Sequence, residues 1–188
     1  MRNAILILAG MVCAIASSSL AAEAIDLAEL AKPGRLLMLR HANAPGTGDP
    51  EDFRLGDCSS QRNLDQAGRE QARSLGRRLA KAGIRQARVY SSQWCRCLET
   101  AQLLGLGPVV PQPALNSFFG RDHQREPTLA ALRKFLAELP TSGGPVVLVT
   151  HQVTVTAFTG NFVDSGGGSL FELNGTGQPR LLGPINTD

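Results

Sequence analysis

The 188-residue chain lacks a strong excess of either charge: 19 lysines and arginines face 16 acidic residues. Setting residues 1–22 aside removes one basic residue, Arg2, and no acidic one, which leaves 18 against 16. So even a balance carries no electrostatic footprint for nucleic acid. Internal repeats and low-complexity linkers are also missing, and the mature length suits one domain, residues 23–188, with a full-sized core. Cysteine is scarce, four in all, and a zinc site would need more than Cys95-x-Cys97 with one distant Cys58 and no nearby histidine. Aromatic residues make up only 5% of the chain. None interleaves with Arg69, Arg73, Arg77, Arg78, Lys81 and Arg85, so this basic run reads as a solvated helix face.

What is present begins with a segment outside the fold. Met1-Arg2-Asn3 is a short positive start, Ala4 to Ala16 is apolar, and Ser17 to Ala24 is rich in small residues. This is the pattern of a secretory signal peptide over 1–22, and its apolar core is too short for a bilayer span of about 20 residues. A retained anchor is the alternative. Export predicts a periplasmic or secreted protein with no stable membrane span. It also predicts oxidised cysteines. Of the three left after cleavage, Cys58 is the partner distant in sequence, so it is expected to pair with Cys95 or Cys97, leaving one thiol over.

Two short apolar runs organise the remainder. Leu36 to Leu39 runs into Arg40-His41, and Val146 to Val149 runs through Thr150 into His151. Both read as strands buried on two faces, with the charged or ring residue at the carboxyl end. Between them, Asp65 can cap a helix reaching about Gly83, with Gly68, Ala72, Leu75, Gly76, Leu79 and Ala82 on one face. Arg88 to Ser92 reads as a second strand and Gln93 to Leu104 as a helix, with Arg96 in its first turn and Trp94 buried beside it. Residues 107–113 form a Pro-rich passage, and a third helix starts at Pro127. Val153 to Phe158 is a short helix, and Ser169 to Leu173 and Arg180 to Leu182 are final strands. Alternating strands and helices predict an α/β three-layer sandwich, a mainly parallel sheet with helices on both faces. Residues 45–63, rich in Gly, Asp, Pro and Ser, form a long excursion of the kind that often walls a site.

The chemistry converges at one sheet edge. Arg40, His41, Arg96 and His151 all come from carboxyl ends of strands or from the helix start just beyond one, where open α/β sheets bind ligands. Two guanidiniums, two imidazoles and helix N–H groups suit a tetrahedral dianion, because planar arginines hold phosphoryl oxygens bidentately.

These residues resemble the histidine phosphatase superfamily, also called phosphoglycerate-mutase-like. Leu39-Arg40-His41-Ala42 is similar to its strand-to-loop Arg-His motif. Ser91 to Ala101 resembles its Ser-Ser-x-x-x-Arg-x-x-x-Thr-Ala segment, and Val149-Thr150-His151 its second-histidine motif. Leu64 to Gly68, followed by Gln71-Ala72, is similar to the opening of its first helix. The resemblance covers nearly the whole mature chain and implies a phosphohydrolase in which His41 is the nucleophile and forms a transient phosphohistidine. Arg40, Arg96 and His151 would hold the phosphoryl oxygens, and Arg62 and Asn116 are further candidates for substrate contact. No cofactor or metal is implied, since arginines supply the positive charge. His123 reads as solvated.

The chain departs from the family where a proton donor is expected. Asn116, Gln152 and Gly167 stand at the three positions where branches of the family place acids, and amides and glycine cannot protonate a leaving group. Asp49, Asp57, Asp122 and Glu126 are conceivable substitutes without support from spacing. The expectation is an exported phosphohydrolase acting on a small or envelope phosphate. A phosphate-binding protein that has lost turnover is the alternative, and a mutase a third reading.

Overall fold

The stretch RLLMLR forms the strand β1, Arg35–Arg40, because its four central side chains are apolar and have a covered face on either side. In the computed structural model, which describes residues 24–186, all four are fully buried. The expected signal segment 1–22 lies outside the described residues. Five further strands complete one sheet: β2 Arg88–Ser91, β3 Val109–Pro111, β4 Val146–Thr150, β5 Gly168–Glu172 and β6 Arg180–Pro184, in the order β3-β2-β4-β1-β5-β6. The first four are mutually parallel; β5 runs antiparallel to β1 and β6 antiparallel to β5.

Helices cover both faces. On one lie α1, Gln66–Lys81, and α2, Cys95–Leu103, whose Leu75, Leu79, Cys97 and Ala101 pack with Leu37, Leu39, Val147 and Val149. On the other lie α3, Arg125–Glu138, and α4, Gln152–Thr159, whose Leu132, Leu136 and Val155 pack with Leu36, Met38, Val146 and Leu148. The predicted three-layer α/β sandwich is the observed one. No helix among the described residues is long and apolar enough to cross a membrane.

Boundaries differ from the sequence reading in three informative places. The passage 107–113 contains the edge strand β3, hidden because a three-residue edge strand ending in Pro111 needs no alternating pattern and no amide donor there. Helix α2 begins at Cys95 instead of Gln93, since Trp94 is extended and acts as the cap. Helix α3 begins at Arg125, so Pro127 lies within its first turn, where the missing N–H would in any case be unpaired.

Helix α1 is the one that shapes the site. Asp65 caps it by accepting from the Gly68 N–H at 2.6 Å. Its glycines permit two close approaches: a Cβ on Gly68 would collide with the Asn43 carbonyl, and one on Gly76 with the Leu104 carbonyl at the end of α2. The small face therefore packs against the chain just beyond β1 and against its neighbouring helix.

Candidate functional site

The register of β1 and β4 puts Arg40 opposite Thr150, so the next residue of each strand is a histidine. The ladder continues one step further, the His41 N–H donating to the Thr150 carbonyl at 2.9 Å. The two rings meet edge to face with centroids 5.5 Å apart, each only 3% exposed. Strand β2 ends beside β4, and Ser92 and Arg96 just beyond it complete the group.

Each ring has its own orienting partner. Nδ1 of His41 lies 2.8 Å from the Ala42 carbonyl, which can only accept, so the proton sits on Nδ1 and the lone pair on Nε2. That lone pair accepts from Arg96 Nε at 3.1 Å. Burial lowers the pKa of His41 to about 3; the Ala42 carbonyl opposes the shift, and the charges of Arg96, Arg62 and Arg40 add to it. The ring is neutral across the physiological range. His151 Nε2 lies 2.9 Å from Ser92 Oγ, which donates to Asn116 Oδ1 at 3.2 Å, so His151 is protonated on Nε2 and turns its Nδ1 lone pair to Arg96. Burial, then Arg96, lowers its pKa well below that of a free histidine.

A cavity of about 290 Å³ opens over these rings. His41, His151 and Arg40 form its floor, Gly46-Thr47-Gly48 and Arg62 one wall, and Ser117, Phe119 and Phe162 the rim. The amino terminus of α4 borders it through Gln152 and Val153. Arg40 is held by Nη1 donating to the Val163 carbonyl at 2.9 Å and by stacking over Phe162, 5.6 Å from the ring centre. Arg62 is fixed by Nε donating to the Gly48 carbonyl at 2.7 Å and Nη1 to the Ala44 carbonyl. No aspartate or glutamate is among the residues lining this cavity.

The structure thus brings together Arg40, His41, Arg62, Arg96 and His151. Arg96 is buried directly behind the histidines and is not a surface arginine. Asn116 stands one hydrogen bond further back: it receives Ser92 Oγ and the Gln93 N–H and reaches the pocket through Ser92 and His151. Gln152 lines the pocket but donates to Thr156 Oγ1, while Gly166 and Gly167 hold the backbone of His41 and Arg40. His123 is exposed, as read from sequence.

The four carboxylates considered as proton donors fall into two groups. Asp57 caps the turn before Ser59 and pairs with exposed Arg54, and Asp122 and Glu126 are exposed. Asp49 lies against Arg96, at 2.6 Å from Nη1 and 3.0 Å from Nη2, and accepts from the Trp94 indole N–H at 3.0 Å. Burial pushes its pKa up, but the Arg96 hydrogen bonds and charge, with Trp94, prevail and hold it below the usual carboxylate value. Nothing in its sequence neighbourhood, Thr47-Gly48-Asp49-Pro50, distinguishes it from an ordinary turn aspartate, and only the Asp-Arg pairing across 47 residues does so.

Other supports were visible as motif letters without roles. Thr100 Oγ1 accepts from the Ala42 N–H and donates to the Arg96 carbonyl, tying the chain after His41 to α2. Gln71 accepts from the Asn43 N–H at 2.9 Å and donates to the Ser165 carbonyl. Cys58 is bonded to Cys95, one of the two pairings expected. Among the described residues Cys97 is the free thiol; it is buried beside His151 and its pKa is pushed up to about 12, foremost by burial, so it is not a thiolate. Among the described residues no group of three or more His, Cys, Asp or Glu could hold a metal ion.

A sequence model of the histidine phosphatase superfamily (branch 1) matches residues 36–134, more than half of the chain. The chain belongs to this superfamily. It is by class a phosphatase, and the matched stretch includes Arg40, His41, Arg62 and Arg96. Solved structures share the fold at low identity. The protein histidine phosphatase SixA complexed with tungstate is 16% identical, with a TM-score of 0.57 over 81% of this chain and 97% of that one. A phosphoglycerate mutase from Thermus thermophilus is 20% identical, TM-score 0.57, over 82% and 99%. A mycobacterial glucosyl-3-phosphoglycerate phosphatase in complex with VO3 is 19% identical, TM-score 0.55, over 78% and 95%. No curated protein sequence matches the chain.

Proposed function

We propose that the protein is an exported phosphohydrolase that passes the phosphoryl group of a small phosphorylated substrate to His41 and then to water. The observation that carries this reading is the neutral His41 ring at the floor of a cavity lined by Arg40 and Arg62, with its Nε2 lone pair held by Arg96 Nε from behind. In the first step Nε2 attacks phosphorus as the bond to the leaving group breaks and that group takes the electron pair. In the second, water attacks phosphorus, the P–Nε2 bond returns its electrons to His41, and phosphate departs. The arginines neutralise charge on the equatorial oxygens in both steps. Two structural neighbours were solved in complex with oxyanions, tungstate and VO3, which supports an oxyanion as a ligand of this fold.

The cavity lining favours substrates whose leaving group needs no proton. It holds no carboxylic acid, and its rim carries two aromatic rings, Phe119 and Phe162, exposed by 53% and 67%. Aryl phosphates, acyl phosphates and phosphohistidine fit this chemistry better than alkyl monoesters. Export rests on the apolar amino-terminal segment and is supported by the Cys58–Cys95 disulfide, a bond that persists in oxidising compartments. The test is hydrolysis of para-nitrophenyl phosphate by the mature protein and by His41→Ala between pH 4 and 8, with phosphate-binding calorimetry on both. Turnover that vanishes in the variant supports the reading. Phosphate binding without turnover in either protein would replace it with a phosphate receptor. The mass of the protein recovered from a fractionated host tests export: an uncleaved chain in the cytoplasm would refute it.

A further inference from the structure

The guanidinium of Arg96 has two donor edges, and they face different residues. Its Nε–Nη2 edge is turned to the two histidines, at 3.1 Å from His41 Nε2 and 3.5 Å from His151 Nδ1. Its Nη1–Nη2 edge is closed by Asp49, at 2.6 and 3.0 Å, with the Arg62 carbonyl taking a further Nη1 bond at 3.3 Å. The pair is secluded, with side-chain exposures of 3% for Arg96 and 11% for Asp49.

Asp49 is itself held from outside the pair. Oδ1 also accepts the Arg62 N–H at 3.3 Å and Oδ2 the Trp94 indole N–H at 3.0 Å, so four donors converge on one carboxylate. Such a group is an anchor and cannot serve as an acid while these bonds stand. Neither Asp49 nor Arg96 lines the cavity; Arg96 lies directly behind the two histidines that do, and Asp49 lies on its far edge.

The geometry points to Asp49 as a positioning residue: by occupying one edge of Arg96, it aims the other at the place where the phosphoryl group sits on its way to His41. This rests on the phosphohydrolase reading and adds a residue to it. In the free protein the aimed edge is satisfied by ring lone pairs. When a phosphoryl group arrives, its oxygens take the Nε and Nη2 protons, the His41 lone pair is released for attack, and Asp49 keeps the guanidinium from turning. A guanidinium free to rotate would lose the bidentate contact that strengthens as charge develops.

The experiment compares wild type, Asp49→Asn, Asp49→Glu, Arg96→Ala and the Asp49→Asn/Arg96→Ala double variant. Hydrolysis of para-nitrophenyl phosphate and phenyl phosphate is measured together with inorganic phosphate binding, followed by the fluorescence of Trp94, the chain's only tryptophan. Asp49→Asn should lower kcat by about 100-fold, the scale of a misplaced catalytic group, with a smaller change in KM. The loss should be equal for both leaving groups, Asp49→Glu should recover part of it, and Asp49→Asn should cost nothing further when Arg96 is already absent. An unchanged kcat would overturn the proposal, and so would independent losses in the double variant. Tighter phosphate binding in Asp49→Asn would make Asp49 a competing anion, and a loss that grows with leaving-group pKa would make it the proton donor. If Asp49→Asn does not fold, Asp49→Glu decides on the same readouts. Absent turnover in wild type speaks against the phosphohydrolase reading, and the phosphate affinities of the variants then decide the role of Asp49: a loss equal to that of Arg96→Ala upholds it, and unchanged affinity sinks it.

Discussion

The floor and the wall of the pocket are built by different means. The floor, Arg40, His41 and His151, is carried by two adjacent parallel strands, and its geometry follows from a register that places Arg40 beside Thr150. The wall, Gly46 to Gly48 with Arg62, belongs to a loop that carries almost no regular structure and is held by single contacts: the Cys58–Cys95 disulfide, the Asp49–Arg96 pair, and Gln61 Oε1 receiving the Cys95 N–H at 3.0 Å. A floor fixed by a buried sheet can present a nucleophile without adjustment. A wall fixed by a few cross-links is easier to open, and through the Asp49–Arg96 pair its opening reaches the chemistry beneath it.

This contrast should be visible in variants. Removing the proposed nucleophile with His41→Ala should cost about 10⁴-fold or more in kcat, measured with para-nitrophenyl phosphate, whereas Arg62→Ala on the wall should cost about 10- to 100-fold. Equal losses would mean that the wall is as deeply involved in the reaction as the floor.

Acid should weaken the floor first. His41 and His151 are held neutral in the fold, with pKa values below those of the unfolded chain, at about 3 for His41, so as pH falls below 6.5 the unfolded state binds more protons than the folded one. Their contribution to stability is therefore complete above pH 6.5 and falls as pH drops below it, at up to about 1.4 kcal/mol per pH unit for each such group. Urea unfolding from pH 7 to 4 should show the decline, and His41→Gln should flatten it. A slope unchanged in the variant would show that His41 is not the source.

Opening the wall comes next. Cys58→Ser removes a cross-link between residues 37 apart and should lower stability by about 3 kcal/mol. It should also reduce phosphate affinity, because Cys95 adjoins Arg96 and the loop carries Asp49 and Arg62; a stability loss with unchanged phosphate binding would show that the disulfide does not hold the site. The smallest effect belongs to the rim. Phe119→Ala and Phe162→Ala should each raise KM for aryl phosphates by about 3- to 10-fold, on the order of 1 kcal/mol per aromatic contact; Phe119→Ala should leave acetyl phosphate almost untouched, whereas Phe162→Ala also loosens Arg40 and should weaken both.

Legibility in the sequence follows the same division. Leu36 to Arg40 and Val146 to Thr150 could be read as buried strands because apolar runs of that length between Pro-Gly and loop residues have few other solutions, and each delivered its histidine to the expected edge. Asp65 and the small face of α1 were equally plain, although that face packs on Asn43 and α2 as well as on the sheet. Asp49 was one aspartate among several, Asn116 gave no hint that it reaches the pocket through Ser92 and His151, and Phe119 and Phe162 gave no hint of a rim. Among the cysteines the sequence left two partners for Cys58, and only the placement of the loop beside the start of α2 selected Cys95.

By itself, then, the order of residues determined the layered α/β fold, the edge of the sheet that carries the chemistry, and the histidines and arginines found there. These depend on local pattern: which side chains must be buried, and where a buried strand ends. Tertiary structure alone decided which edge of Arg96 faces the histidines, which carboxylate closes the other, which nitrogen of each ring carries the proton, and what lines the cavity. Those depend on pairs of residues far apart in the chain, such as Asp49 and Arg96, Ser92 and His151, or Cys58 and Cys95, and no local pattern encodes the distance between them.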